Sequence, residues 1–157
     1  MTARLLARAA LAAFTLLLAG AAARAEDLAG YCRRVGTDDV TRPLPAALVP
    51  QFLRAFGLDL PPEVAGRTGL LRCEGGRILA CNIGANLPCG RADTRRSIPA
   101  ADAWCRENRG ADPVPAYVTG HASVYAWRCR DGRAEPAAQV AHADARGFVA
   151  EYWKPLD

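Results

Sequence analysis

Apolar residues recur at helical spacing in the segment Pro45 to Phe56. Leu48, Phe52 and Phe56 stand at i, i+4 and i+8, with Val49 and Leu53 beside them, and this stripe predicts a core-facing helix. Pro50 interrupts it, because a proline ring clashes with a preceding helical turn, so the helix starts near Pro50 or kinks there. Gly57 marks its stop, and Leu58 to Glu63, with two prolines, reads as a connecting turn.

From Thr68 the period changes to that of short strands. Leu70 to Arg72 and Arg77 to Leu79 flank Glu74, Gly75 and Gly76 as a hairpin. A second hairpin has Val124 to Cys129 leading into Asp131 and Gly132, a dipeptide that tolerates the positive φ angles of a type I′ turn. Phe148 to Trp153 alternates as a last strand, with its turn at Asp144 to Gly147. Between the hairpins, Asn82 to Arg96 is the least regular stretch. Ser97 then caps a helix from Pro99 through Trp104 and Cys105 to about Asn108. These elements predict an α+β fold: a small antiparallel sheet of four to six strands with one or two short helices, stapled by disulfides. The two hairpins share a pattern, since Arg72, Cys73, Gly76 and Arg77 recur as Arg128, Cys129, Gly132 and Arg133. Either a duplicated hairpin or chance in an arginine- and glycine-rich chain produces such a match.

The chain's first residues change the picture of where the protein works. Arg4 and Arg8 precede the apolar stretch Leu11 to Leu18, and Ala23 to Ala25 offers a small-residue cleavage site, so residues 1–25 read as a signal peptide. The uncharged run from Ala9 to Ala23 is shorter than the ~20 residues a membrane-spanning helix needs. Residues 26–157 then form a single secreted disulfide-rich domain, periplasmic or released, with no membrane anchor after cleavage. The leader holds three arginines and no acid, so 20 basic against 16 acidic residues becomes a near balance in the mature chain. Such a balance gives no field for nucleic acid, and the pairs Arg33–Arg34 and Arg95–Arg96 read as solvated surface.

All six cysteines, Cys32, Cys73, Cys81, Cys89, Cys105 and Cys129, lie in the mature part. An even number in an exported chain, with no CxxC pair and no histidine at zinc-finger spacing, predicts three disulfides and no metal site. Cys73 at a turn and Cys81 along the returning arm lie too far apart to bond. Cys89 with Cys105 is the leading pair, tying the proline-bearing loop to the following helix.

Candidate chemistry is sparse. His121 sits beside Thr119 and Ser123 without a GxSxG turn, and His142 stands two residues from Asp144 as a hydrogen-bonded pair. Asp38 and Asp39 are adjacent and splay apart, unlike the facing carboxyls of a glycosidase. No cofactor motif is present. Tyr125, Trp127, Tyr152 and Trp153 read as core rather than as a sugar platform. The loop Asn82 to Gly90 is the best recognition candidate. Asn82 and Asn86 offer amides, and Gly84 and Gly90 admit close approach. With His121 they form the candidate ligand-binding set. The chain therefore reads as a non-enzymatic binding or inhibitor-like module of the cell envelope, with an envelope protein or glycan as partner. The alternative is a small envelope hydrolase using His121 or His142 with a nearby acid.

The segments GANLPCG from Gly84, AWCR from Ala103, TGH at Thr119 to His121, YAWRC from Tyr125 and DARGFVAEYW from Asp144 are shared with a family of small exported bacterial proteins without an assigned function. The chain resembles that family from about Tyr31 onward, which implies a periplasmic domain. The stretch YAWRCRDG is locally similar to the strand and turn of periplasmic C-type lysozyme inhibitors. The chain departs from these in length, in its six cysteines and in its N-terminal helix, so no inhibitory residue carries over.

Overall fold

The computed structural model describes residues 28–84 and 87–156. The predicted signal peptide, residues 1–25, and Asn86 lie outside them. The fold is α+β, with five α-helices and six strands among the described residues. Helix α1 occupies residues 28–35, followed by β1 (Asp38–Pro43), a 3₁₀ turn (Ala46–Leu48), α2 (Val49–Phe56), α3 (Pro62–Thr68), β2 (Gly69–Glu74) and β3 (Arg77–Asn82). Then come α4 (Pro99–Glu107), α5 (Ala116–Thr119), β4 (Tyr125–Arg130), β5 (Arg133–Gln139), a second 3₁₀ turn (Ala150–Tyr152) and β6 (Trp153–Pro155). Strand order is β1-β2-β3-β6 in one sheet and β4-β5 in the other.

The chain divides into two compact units. Unit 1 runs to Ala80 and takes back the chain from Pro155; unit 2 is Cys81–Lys154. In unit 1 the predicted stripe buries Leu48, Val49 and Phe52 against Leu71, Cys73 and Ile78. Pro50 is the second residue of α2, where its missing N–H has no intrahelical partner to lose, and Gly57 ends the helix at φ +62°. The proline pair predicted as a turn instead starts α3, with Pro62 its first residue, because a proline's fixed φ suits an N-terminal turn. Strand β1 also goes beyond the predicted elements. It pairs antiparallel with β2, with Asp38 opposite Cys73 and Arg42 opposite Leu71, and an irregularity lies between them. That irregularity gathers Asp38 and Arg42 onto Tyr31. The Tyr31 hydroxyl donates to Asp38 Oδ2 at 2.6 Å, Arg42 donates to the same oxygen at 2.6 Å, and its guanidinium lies 5.0 Å from the Tyr31 ring centroid. The tyrosine hydrogen bond, the Val40 N–H and Arg42 together pull Asp38 down to about 2.

In unit 2 helix α4 starts at Pro99, but the predicted Ser97 cap is absent. Ile98 holds the cap position with no side-chain hydrogen bond, and its carbonyl accepts from Ala101 and Asp102. Strands β4 and β5 pair with Cys129 opposite Ala134 and Arg130 opposite Arg133. Trp127 is buried among Ile98, Ala101, Cys105 and Val114. The predicted last strand is largely replaced by a 3₁₀ turn. Phe148 and Val149 are both buried although consecutive, which breaks the alternation a half-buried strand requires.

Both predicted hairpins form, each with a two-residue turn in the left-handed region: φ is +57° and +79° at Gly75 and Gly76, and +50° and +74° at Asp131 and Gly132. The disulfides are Cys32–Cys73, Cys81–Cys89 and Cys105–Cys129. Cys73 and Cys81 are not joined, as expected from the hairpin. The expected Cys89–Cys105 bond is not formed. Cys105 and Ala101 form the buried face of α4 and pack with Cys129, whereas the turn after β3 carries Cys89 back to within 5.8 Å of Cys81, Cα to Cα. Three disulfides suit an oxidising compartment outside the cytoplasm. Among the described residues no helix is long and apolar enough to cross a membrane.

Candidate functional site

The candidate loop Asn82 to Gly90 is shaped by a constraint that its glycines and amides do not reveal. Cys81 is buried in β3 and Cys89 is buried beside it, so the disulfide fixes both ends of the loop. Inside this closure Gly84 and Leu87 exchange two backbone hydrogen bonds, 3.3 Å and 3.1 Å, which pair the two arms of the loop. A Cβ on Gly84 would lie 3.5 Å from the Leu87 side chain, so glycine lets the two arms close on each other.

What the loop presents is apolar. Ile83 is 42% and Leu87 41% exposed, and among the described residues Val35, Val40 and Val140 are the other exposed large aliphatics. Sequence reasoning singled out the neighbouring amides and passed over these two. The available signal was a pair of large aliphatics held between cysteines only eight residues apart, where neither can reach a core. Asn82 is half-buried at the end of β3, and its Oδ1 is shielded from water without a hydrogen bond among the described residues. It sits at the base of the loop. Asn86 lies outside the described residues.

His121 is not part of this loop. It lies exposed in the turn before Ser123. The Ser123 hydroxyl is committed elsewhere, accepting from Trp127 Nε1 at 2.8 Å and from the Tyr125 N–H at 3.2 Å while donating to the Tyr125 carbonyl. Thr119 is buried. Neither neighbouring hydroxyl, Thr119 or Ser123, is hydrogen-bonded to His121 among the described residues. The expected His142–Asp144 pair is also replaced. Asp144 Oδ1 accepts the N–H groups of Arg146 and Phe148, closing its own turn, and His142 Nδ1 lies 2.8 Å from Glu151 Oε1. The imidazole and the His142 backbone N–H hold the Glu151 carboxyl below its ordinary range. This pair is well exposed, so water competes with any chemistry it offers.

The aromatic residues behave as core. Trp127 and Trp153 are buried, Tyr125 meets Trp127 edge-on at 6.3 Å, and Phe148 meets Trp153 at 5.4 Å. Among the described residues no group of three histidine, cysteine, aspartate or glutamate side chains could hold a metal. The chain matches no protein-family model, no curated protein and no solved structure.

Proposed function

We propose that this is a non-enzymatic binding module that works in the periplasm or outside the cell, with the loop Cys81–Cys89 as its recognition element for an envelope or incoming protein. One observation carries the reading: a disulfide closes a nine-residue loop that leaves Ile83 and Leu87 each about two-fifths exposed. Exposed aliphatics cost solubility, and a loop whose ends are covalently joined loses less conformational freedom when it docks. Central apolar anchors of this kind carry much of the energy of a protein interface, while surrounding amides set register.

The test is capture of a partner from a periplasmic extract by the oxidised mature chain, compared with an Ile83→Ser/Leu87→Ser variant. The expected outcome is a stoichiometric partner held by the native chain and lost with the variant. Equal capture by both would reject the loop as the recognition element. An Asn82→Ala/Asn86→Ala variant separates anchoring from register, and it should weaken capture less than the loss of the two aliphatics.

A further inference from the structure

The two hairpins share the pattern RCxxGR but differ in the charge they carry within it. Unit 1 reads Arg72-Cys73-Glu74-Gly75-Gly76-Arg77, and unit 2 reads Arg128-Cys129-Arg130-Asp131-Gly132-Arg133. Glu74 answers Arg72 from two residues along the same strand, Nη2 to Oε2 at 2.9 Å, and the Arg72 side chain is fully buried. Unit 2 has Arg130 in place of that glutamate, just as it has Asp102, whose Oδ1 accepts the Ala134 N–H at 2.8 Å, where unit 1 has Ala29.

The consequence is an arginine-lined face on the β4–β5 ribbon. Arg128 and Arg130 stand two apart on β4 and share a face, with Glu135 opposite Arg128 and Arg133 opposite Arg130. Trp127, Cys129 and Ala134 take the other face and pack into the core of unit 2. Glu135 Oε2 lies 4.0 Å from Arg128 Nη2 and 3.9 Å from Arg130 Nη1, so one carboxylate oxygen already sits between two guanidiniums, at the outer limit of an ion pair with each. Arg133 is exposed and makes no ion pair or side-chain hydrogen bond among the described residues, and Asp131, exposed in the turn, pairs with none of the three arginines. Like charges directly opposite each other repel, and Arg130 faces Arg133.

We propose that this face docks an acidic peptide in extended conformation, a segment of a partner protein whose alternate side chains are carboxylates. Alternate side chains of an extended chain repeat at about 6.5 Å on one face, which is the repeat that sets Arg128 beside Arg130. Glu135 holds one place in that row from within the chain, and the partner's carboxylates take the places beside Arg130 and Arg133, relieving the repulsion between them. Guanidinium groups favour planar carboxylates because two N–H bonds can run in parallel to the two oxygens. The face is open, so a single small anion on it stays in water, whereas a chain brings several charges to it at once. The face lies in unit 2 and stands independently of the loop reading.

The experiment follows the backbone amide signals of Arg128 to Glu135 in the mature, oxidised chain as a short end-blocked peptide alternating glutamate and threonine is added at low salt. A peptide of the same composition with its glutamates consecutive, and inorganic phosphate, serve as controls. Saturable shifts along the β4–β5 ribbon are expected, with either control bound at least about threefold more weakly and all binding lost as salt is raised. Arg128→Gln, Arg130→Gln and Arg133→Gln should each weaken binding by about fivefold. Glu135→Gln should tighten it by vacating the place already taken. Arg67→Gln, which removes the same charge from an exposed position on α3, should leave it unchanged. No saturable shift, equal binding of either control, an equal loss with Arg67→Gln, or weaker binding with Glu135→Gln would overturn the proposal. The exposed Arg133→Gln decides the matter should a change at half-buried Arg128 disturb the fold.

Discussion

Units 1 and 2 fasten a helix to a hairpin by the same means and differ in what they put between the two. Tyr31-Cys32-Arg33 in α1 corresponds to Trp104-Cys105-Arg106 in α4, and the disulfide from each helix reaches the cysteine just before a two-residue turn. Two residues before that cysteine, Leu71 and Trp127 are each almost wholly buried. In both, the chain after the helix lies along the first hairpin strand. In unit 1 this is β1 on β2; in unit 2 it is the residues from Ala111 to Val114, whose backbone exchanges hydrogen bonds with Cys129 and Trp127. The linked cysteines are 41 residues apart in unit 1 and 24 in unit 2, and the extra length of unit 1 holds α2 and α3. The difference teaches that the helix–disulfide–hairpin joint is the conserved physical element within this chain. A longer connection is tolerated because the cost of closing a loop rises only slowly with its length.

The largest expected effect comes from cutting the two joints. On loop-closure entropy alone, removing Cys32–Cys73 should cost about 4 kcal/mol and removing Cys105–Cys129 about 3.5 kcal/mol, against about 2.5 kcal/mol for the short Cys81–Cys89 loop. Denaturant unfolding of the three paired cysteine-to-alanine variants checks that order. A short-loop variant as unstable as the other two would show that packing, rather than chain entropy, sets the role of each bond.

A smaller effect isolates the point where the units diverge. Asp102→Ala leaves the Ala134 N–H at a buried position without its acceptor and should cost about 1–2 kcal/mol, which denaturant unfolding can read. An unchanged midpoint would mean that the carboxylate contributes nothing to holding α4 on its hairpin.

The smallest is a titration confined to unit 1. Asp38 is held at about 2 when folded, below its ordinary 3.8, so its stabilising contribution is complete above about pH 4 and fades as the pH falls through 2. The Tyr31 hydroxyl is the leading cause, and Tyr31→Phe should move the Asp38 carboxyl upward in an NMR titration. A value that stays near 2 would assign the whole shift to Arg42 and the Val40 N–H.

The legible parts of this fold were those written in local signals. The stripe through Phe52, the Gly57 stop and the turns at Gly75–Gly76 and Asp131–Gly132 each depend on residues close in sequence, and each forms. Strand β1 was not legible, because Asp38–Pro43 has no apolar alternation and becomes a strand only by pairing with β2. Disulfide partners were not legible either. Which cysteine meets Cys105 depends on the face α4 turns toward β4, a tertiary fact. The candidate loop was legible through its amides and glycines, whereas the exposure of Ile83 and Leu87 depends on the closure by Cys81 and Cys89. The shared RCxxGR pattern pointed at the two hairpins, and the matching helices became visible once the disulfides joined each to its own.

The covalent closure of the loop has an engineering meaning. Because Cys81 and Cys89 are both buried, their disulfide ties the two ends of the loop to the body of the protein. Sequence there can drift, or be replaced by a foreign peptide, with little tax on the scaffold. Under the binding role proposed above, the loop would serve as an exchangeable cassette, and a lineage carrying it could change its target while keeping its fold.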